Sequence, residues 1–123
     1  MKEPKLPRKF RLAKLASYHS DYPIKIGAVI YKGNRVVSFG FNYLKSHPIF
    51  ANKFASIHSE ISAILKAKTD LTGCHIYVFR EYKNKKFALA LPCKECMKAI
   101  IEAGITRIYY TTSDDSYYKE IKL

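Results

Sequence analysis

His58 and Glu60 stand two residues apart in SIHSEISAI, and Cys93 and Cys96 stand three apart in PCKEC. Imidazole, carboxylate and thiol are the side chains that bind transition metals and move protons. Cysteines three apart lie one turn apart on a helix, and in a first turn the unpaired backbone N–H groups and the helix dipole favour thiolates. His58 and Glu60 would diverge by about 200° inside a helix, so they converge only at a helix end. Two helix N-termini meeting at one Zn2+ would offer His58, Cys93 and Cys96 as metal ligands and leave the fourth position to water, with Glu60 beside the metal as a proton carrier. The competing arrangement is a closed structural zinc site, which needs a fourth ligand. Cys74 and His75 are available for that, but both begin a strand, where Cys74 reads as core filler and His75 as an alternating strand residue. His19 reads as a helix-end residue. A purely structural site has no use for Glu60.

Composition limits what surrounds these residues. A chain of 123 residues with 48% apolar and 14% aromatic content is expected to be one globular domain, residues 1–123. The opening MKEPKLPRKF is charged and proline-broken, and no stretch approaches the roughly 18 apolar residues of a membrane span. Three cysteines, two of them three apart, suit a metal site in a reducing compartment. A soluble, cytoplasmic protein with no membrane partner is the expectation. A formal charge of +12 points to polyanionic partners. The charge gathers at Lys2, Lys5, Arg8, Lys9, Arg11 and Lys14, and again at Lys83, Lys85 and Lys86; an ordinary solvated surface is the alternative reading.

The elements that position the motifs follow from periodicity. RKFRLAKLASYHS has apolar residues at helical spacing with a basic opposite face, and Asp21-Tyr22-Pro23 breaks it. IKIGAVIYKGNRVVSFGF reads as a hairpin turning at Lys32-Gly33-Asn34. A loop is expected from Asn42 to about Ser56, with Pro48 opposing regular structure. A helix from about Ile57 to Lys68 would bury Ile57, Ile61, Ile64 and Leu65. CHIYVFREY predicts a strand, Lys83 to Lys86 a turn, and FALAL a short returning strand. Pro92 introduces a helix from Cys93 to Ala103 that Gly104 stops, and ITRIYYTT is a further strand before a short tail. This order predicts an α/β sandwich with helices on a mixed sheet.

Together, HSE opening one helix and PCKEC opening another, 35 residues later with a strand between them, form the H-x-E…P-C-x-x-C pattern of zinc deaminases. The chain resembles the zinc-dependent cytidine and deoxycytidylate deaminase superfamily, related to the AID/APOBEC and tRNA adenosine deaminases. The likeness extends over the hairpin, GFN at the end of its second strand, both motifs and GITRIYY. It implies a three-layer α/β/α cytidine-deaminase-like fold, with a mixed sheet of four to five strands and helices on both faces. It implies further that His58, Cys93 and Cys96 hold one Zn2+ per chain, that Glu60 shuttles protons and that Asn42 contacts sugar or base. Ser59 stands where relatives commonly carry alanine, and its backbone N–H is expected to face the base carbonyl. Leu91 stands where they usually carry a polar residue, and the Lys83 to Lys86 turn lengthens the approach to PCKEC. Relatives often add a helix and another strand after the RIYY strand.

The function so implied is hydrolytic conversion of cytosine to uracil, with Glu60 passing a proton to ring N3 and then to the departing amine. Single-stranded DNA or RNA is the expected substrate, on the strength of the charge. Substrate contacts are expected from Asn42, Ser59, His47 and Pro92, and nucleic-acid contacts from Lys83, Lys85, Lys86 and Tyr117. Tyr43, Phe50, Phe54 and Tyr118 are further stacking candidates. The alternatives are a free (deoxy)cytidine nucleotide such as dCMP, adenosine in nucleic acid, and a non-catalytic zinc-stabilised nucleic-acid-binding module. A strand edge left uncovered after RIYY would favour a homo-oligomer.

Overall fold

The computed structural model describes residues 6–21, 23–45 and 55–123. The elements run α1 (Phe10–Ser17), β1 (Ile26–Lys32), β2 (Arg35–Phe41), β3 (Tyr43–Lys45), β4 (Ala55–Ile57), α2 (Ser59–Lys66), β5 (His75–Arg80), α3 (Lys94–Glu102), β6 (Arg107–Thr111) and β7 (Tyr118–Lys122). Five strands form one sheet in the order β2-β1-β5-β6-β7, and β3 pairs with β4 in a separate ribbon. Within the large sheet only β5 and β6 run parallel. Parallel neighbours need a crossover, and α3 supplies it. Among the described residues no helix is long and apolar enough to cross a membrane.

Strand alternation divides the interior in two. Ala28, Ile30, Ile76, Val78, Ile108 and Tyr110 face one side, where Ala63 of α2 and Ile100 of α3 join them. Val29, Tyr31, Tyr77 and Phe79 face the other, against Phe10 and Ala13 of α1. Near-continuous apolar runs such as IYVF are what a strand covered on both faces requires. The result is the α/β/α sandwich with a mixed sheet that the sequence predicts.

The elements differ from expectation in four places. Around α2, Ile57 lies before the helix and Leu65 is 72% exposed, whereas Ser59, Glu60, Ser62 and Ala63 are buried. Small residues win that face because α2 lies almost on the backbone of β2, and the Ser38 hydroxyl donates to the Ala63 carbonyl at 2.7 Å. The FALAL segment is no strand beyond an isolated bridge between Glu81 and Phe87. Instead the Ala88 N–H donates to the Arg80 carbonyl and the Ala90 N–H to the Thr111 carbonyl, each at 2.9 Å. The segment therefore crosses the ends of β5 and β6 rather than pairing along either. The expected loop after Asn42 contains β3 and β4, paired from Tyr43↔Ile57 to Lys45↔Ala55. Its Pro48, His47, Phe50 and Phe54 lie outside the described residues. Finally, the tail forms β7, so the edge of β6 is covered and the sheet ends at β2 and β7. The uncovered edge expected to favour self-association is absent at β6.

Close approach of α2 depends on Gly40. A Cβ there would meet the Ala63 nitrogen and would lie 2.6 Å from the Ser59 carbonyl oxygen, both of them helix backbone that cannot swing aside. Gly40→Ala is expected to push the start of α2 off the sheet and to cost about 1–3 kcal/mol in chemical denaturation. It should also weaken zinc binding, because His58 immediately precedes α2.

Candidate metal centre and active-site cavity

His58 is the N-cap of α2 and Cys93 the N-cap of α3, both with extended backbone (ψ 151° and 170°), and Cys96 lies in the first turn of α3. Their side chains meet. His58 Nδ1 lies 3.1 Å from Cys96 Sγ and 3.5 Å from Cys93 Sγ, and one donor atom from each residue falls within 4.8 Å of the others. Tetrahedral zinc, with bonds of about 2.0–2.3 Å, sets neighbouring donors roughly 3.5–3.8 Å apart, so these side chains fit that ion. The Cys96 backbone N–H also points at Cys93 Sγ, 3.5 Å away, as a thiolate at a helix start requires. Burial, with the Glu60 carboxylate next in effect, pushes the Cys96 thiol far above the usual thiol range. Only a cation held at this point reverses that cost and keeps the sulfur ionised.

Among the described residues, the compact donor group contains these three side chains and no fourth. Cys74 is fully buried among Ile30, Ile76 and Ile108 in the core, and His75 lies beside the Tyr109 ring, with centroids 6.0 Å apart. A closed four-ligand site built from Cys74 or His75 is thereby excluded. His19 lies against Phe41, 5.8 Å between ring centroids.

Beside the donors lies a cavity of about 300 Å³ lined in part by Asn42, His58, Glu60, Arg80, Leu91 and Cys93. Glu60 is 5% exposed. The Ser59 hydroxyl donates to its Oε1 at 2.5 Å, and the Cys96 thiol is a further hydrogen-bond partner of the carboxylate. Asn42 is buried with its amide spanning the start of β1: Oδ1 accepts from the Ile26 N–H at 2.8 Å and Nδ2 donates to the Ile24 carbonyl. The side chain expected to contact substrate thus also shapes the wall that substrate would meet.

The remaining expected contacts separate. Ser59 and Pro92 do not line this cavity: Ser59 is fully buried under Glu60, and Pro92 is buried one residue before the N-cap of α3, outside its first turn. His47 lies outside the described residues. Lys83 and Lys85 line a neighbouring cavity of about 420 Å³, whereas Lys86 is exposed at the base of the turn, its N–H bonded to Asn84 Oδ1 at 3.0 Å. Tyr117 sits at the turn into β7 with φ +65° and its ring 6.0 Å from that of Phe87. Tyr118 packs into the core under α1. The sequence reading missed Arg80, which lines both cavities, and the Ser59 hydroxyl as the brace of Glu60. Neither carried a signal of its own in the sequence: an arginine after an apolar run and a serine at a helix start are both ordinary.

The comparisons agree with this geometry. Residues 3–112 match the family described as the cytidine and deoxycytidylate deaminase zinc-binding region. An uncharacterized deaminase in the luxG 3′ region of Aliivibrio fischeri is 36% identical over 114 residues, covering 83% of this chain and 69% of that protein. Human deoxycytidylate deaminase is 37% identical over 62 residues, which cover 50% of this chain and 28% of the human protein. Among solved structures, cytidine deaminase from Burkholderia pseudomallei superposes with a TM-score of 0.68 at 18% identity, covering 95% of this chain and 93% of its own. The dCMP deaminase of cyanophage S-TIM5 gives a TM-score of 0.62 at 24% identity, covering 86% of this chain and 81% of its own.

Removing a ligand tests the centre directly. Cys93→Ala should bind no zinc by atomic absorption, and it should unfold at lower temperature than the wild-type protein, because metal binding here is coupled to folding. Stripping the wild-type protein with a chelator should lower its melting temperature in the same direction. With His58, Cys93 and Cys96 gathered at two helix starts and the family match extending across both, the chain belongs to the zinc-dependent cytidine and deoxycytidylate deaminase family.

Proposed function

We propose that this protein hydrolytically deaminates the cytosine ring of a free (deoxy)cytidine nucleotide, releasing ammonia and leaving uracil. The observation that carries the reading is the position of Glu60: buried, braced by Ser59, facing the same cavity as His58 and Cys93, yet outside the compact donor group. A zinc-binding module without catalysis would have no role for that carboxylate. The match to deoxycytidylate deaminase supports a nucleotide substrate.

His58, Cys93 and Cys96 would hold the zinc, whose Lewis acidity makes a water nucleophile available near neutral pH. Glu60 takes the proton of the attacking water on its carboxylate. It then delivers that proton to ring N3 and carries the next to the departing amine, so one carboxyl group serves as base and acid in turn. Ile24, Val78, Leu89 and Leu91 give the cavity apolar walls that would hold the ring against the donors.

Single-stranded nucleic acid is the second reading, favoured by the +12 formal charge and by Lys83 and Lys85 close to the site. Zinc-loaded protein incubated separately with dCMP, cytidine, a cytosine-containing single-stranded oligonucleotide and a matched adenine-containing one decides between them. dCMP is expected to be converted fastest, with little inosine formed. Turnover of the oligonucleotide at low salt with none of dCMP would overturn the free-nucleotide reading. Glu60→Gln should retain fold and zinc while losing about 10²–10⁴-fold in turnover, read by ammonia release alongside metal analysis.

A further inference from the structure

The active-site cavity opens beside a second, larger one, and Ile24 and Arg80 line both. The second cavity, about 420 Å³, lies between the end of α1, the segment before β1 and the start of the connection from β5 to α3. Lys25, Arg80, Lys83 and Lys85 line it, and Glu81 is its lone carboxylate among the lining residues. That carboxylate is already satisfied: Glu81 Oε1 accepts from the Tyr18 hydroxyl at 2.8 Å and from Lys85 Nζ at 3.4 Å. Lys85 is therefore paired with that carboxylate, though it remains mostly exposed. Among the described residues Lys25, Arg80 and Lys83 form no ion pair. The Arg80 guanidinium makes a long hydrogen bond, 3.4 Å, to the Leu89 carbonyl and lies 5.9 Å from the centroid of the Tyr82 ring, neither of which compensates its charge.

Three cations without an ion-pair partner, gathered around one concavity, set up a positive potential there that favours an anion. Arginine at the shared wall presents a planar fork suited to phosphate oxygens, with lysines as point charges around it. We propose that this cleft binds a phosphoryl group carried on the sugar of the substrate, with Arg80 at the threshold and Lys25 and Lys83 beyond it. The base would lie in the smaller cavity beside Glu60, and the phosphoryl group would pass Arg80 into the larger one. This rests on the cytosine reading above and adds to it the means by which phosphorylated substrate is preferred. A 5′-phosphate monoester and the phosphodiester of a strand present the same oxygen chemistry to these cations.

The decisive quantity is the ratio of kcat/KM for dCMP to that for deoxycytidine in the zinc-loaded protein, with a dinucleotide carrying cytidine on the 5′-phosphodiester as a third substrate. The wild-type ratio should exceed one by at least about tenfold, and Arg80→Gln and the double variant Lys25→Ala/Lys83→Ala should each reduce it at least about tenfold. Arg80→Lys should restore part of it. Lys25 and Lys83 are exposed, so the double variant reads the cleft even where Arg80→Gln perturbs packing. A larger gain from the monoester than from the dinucleotide assigns the cleft to a free nucleotide, and the reverse assigns it to a strand; both sustain the subsite. Equal turnover of dCMP and deoxycytidine by the wild-type protein, or a ratio unchanged in the variants, overturns it. Failure of the deaminase reading is recognised separately. Calorimetric titration of zinc-loaded Glu60→Gln protein with dCMP and with deoxycytidine compares their affinities without turnover. A dCMP preference that the cleft variants abolish sustains the subsite even if no cytosine compound is deaminated, and equal affinities refute it.

Discussion

Everything at this site depends on two helix starts being held within a few ångströms of each other. A nitrogen from one helix and two sulfurs from another converge with 3.1 Å and 3.5 Å separations. A cation at this point would join all three donors at once and so add to the approach of the two helices. The scaffold does most of the work. α2 lies against the bare backbone of β2 at Gly40, and α3 packs Ile100 into the core cluster that Ala63 of α2 also enters. The metal thus completes an approach that packing has already imposed.

The same economy of space governs Glu60. Glu60 is a carboxylate only 5% exposed beside the Cys96 thiol, and the Ser59 hydroxyl on Oε1 satisfies part of its hydrogen-bonding capacity. Asn42 acts comparably on the far wall: its side chain substitutes for a strand partner at Ile24 and Ile26, fixing the backbone where β1 enters the sheet. Both residues shape the cavity by satisfying polar groups close to where ligand would lie.

How far the sequence disclosed this follows from the kind of signal each part carries. The metal donors were legible because their chemistry is restrictive: few uses exist for H-x-E and C-x-x-C at two helix starts. The hairpin was legible because Gly33, at φ +60°, is a turn residue between two β-branched runs. The buried face of α2 was not, because the expected stripe of isoleucines and Leu65 is the greasier side, whereas proximity to Gly40 selects Ser62 and Ala63. β7 was hidden because YKEIK carries too little apolar character to announce a strand, and its pairing rests on β6 and on the Arg107–Glu120 ion pair across the edge. Arg80 and Ser59 escaped because one arginine or one serine is common in any sequence, and only placement gives it meaning.

The connection from Arg80 to Leu91 leaves the sheet at the end of β5, turns at Lys85 and comes back over the ends of β5 and β6 through Ala88 and Ala90. Most of it contributes little to either core, and its outer turn is anchored chiefly by Tyr18 and Glu81. A segment of this kind tolerates insertion and drift, since loops at strand ends change more cheaply than the layers beneath them. Changes in that excursion leave untouched the two helix starts that carry His58, Cys93 and Cys96. Lengthening or recharging it would alter what borders the two cavities while the histidine and cysteines stay where they are.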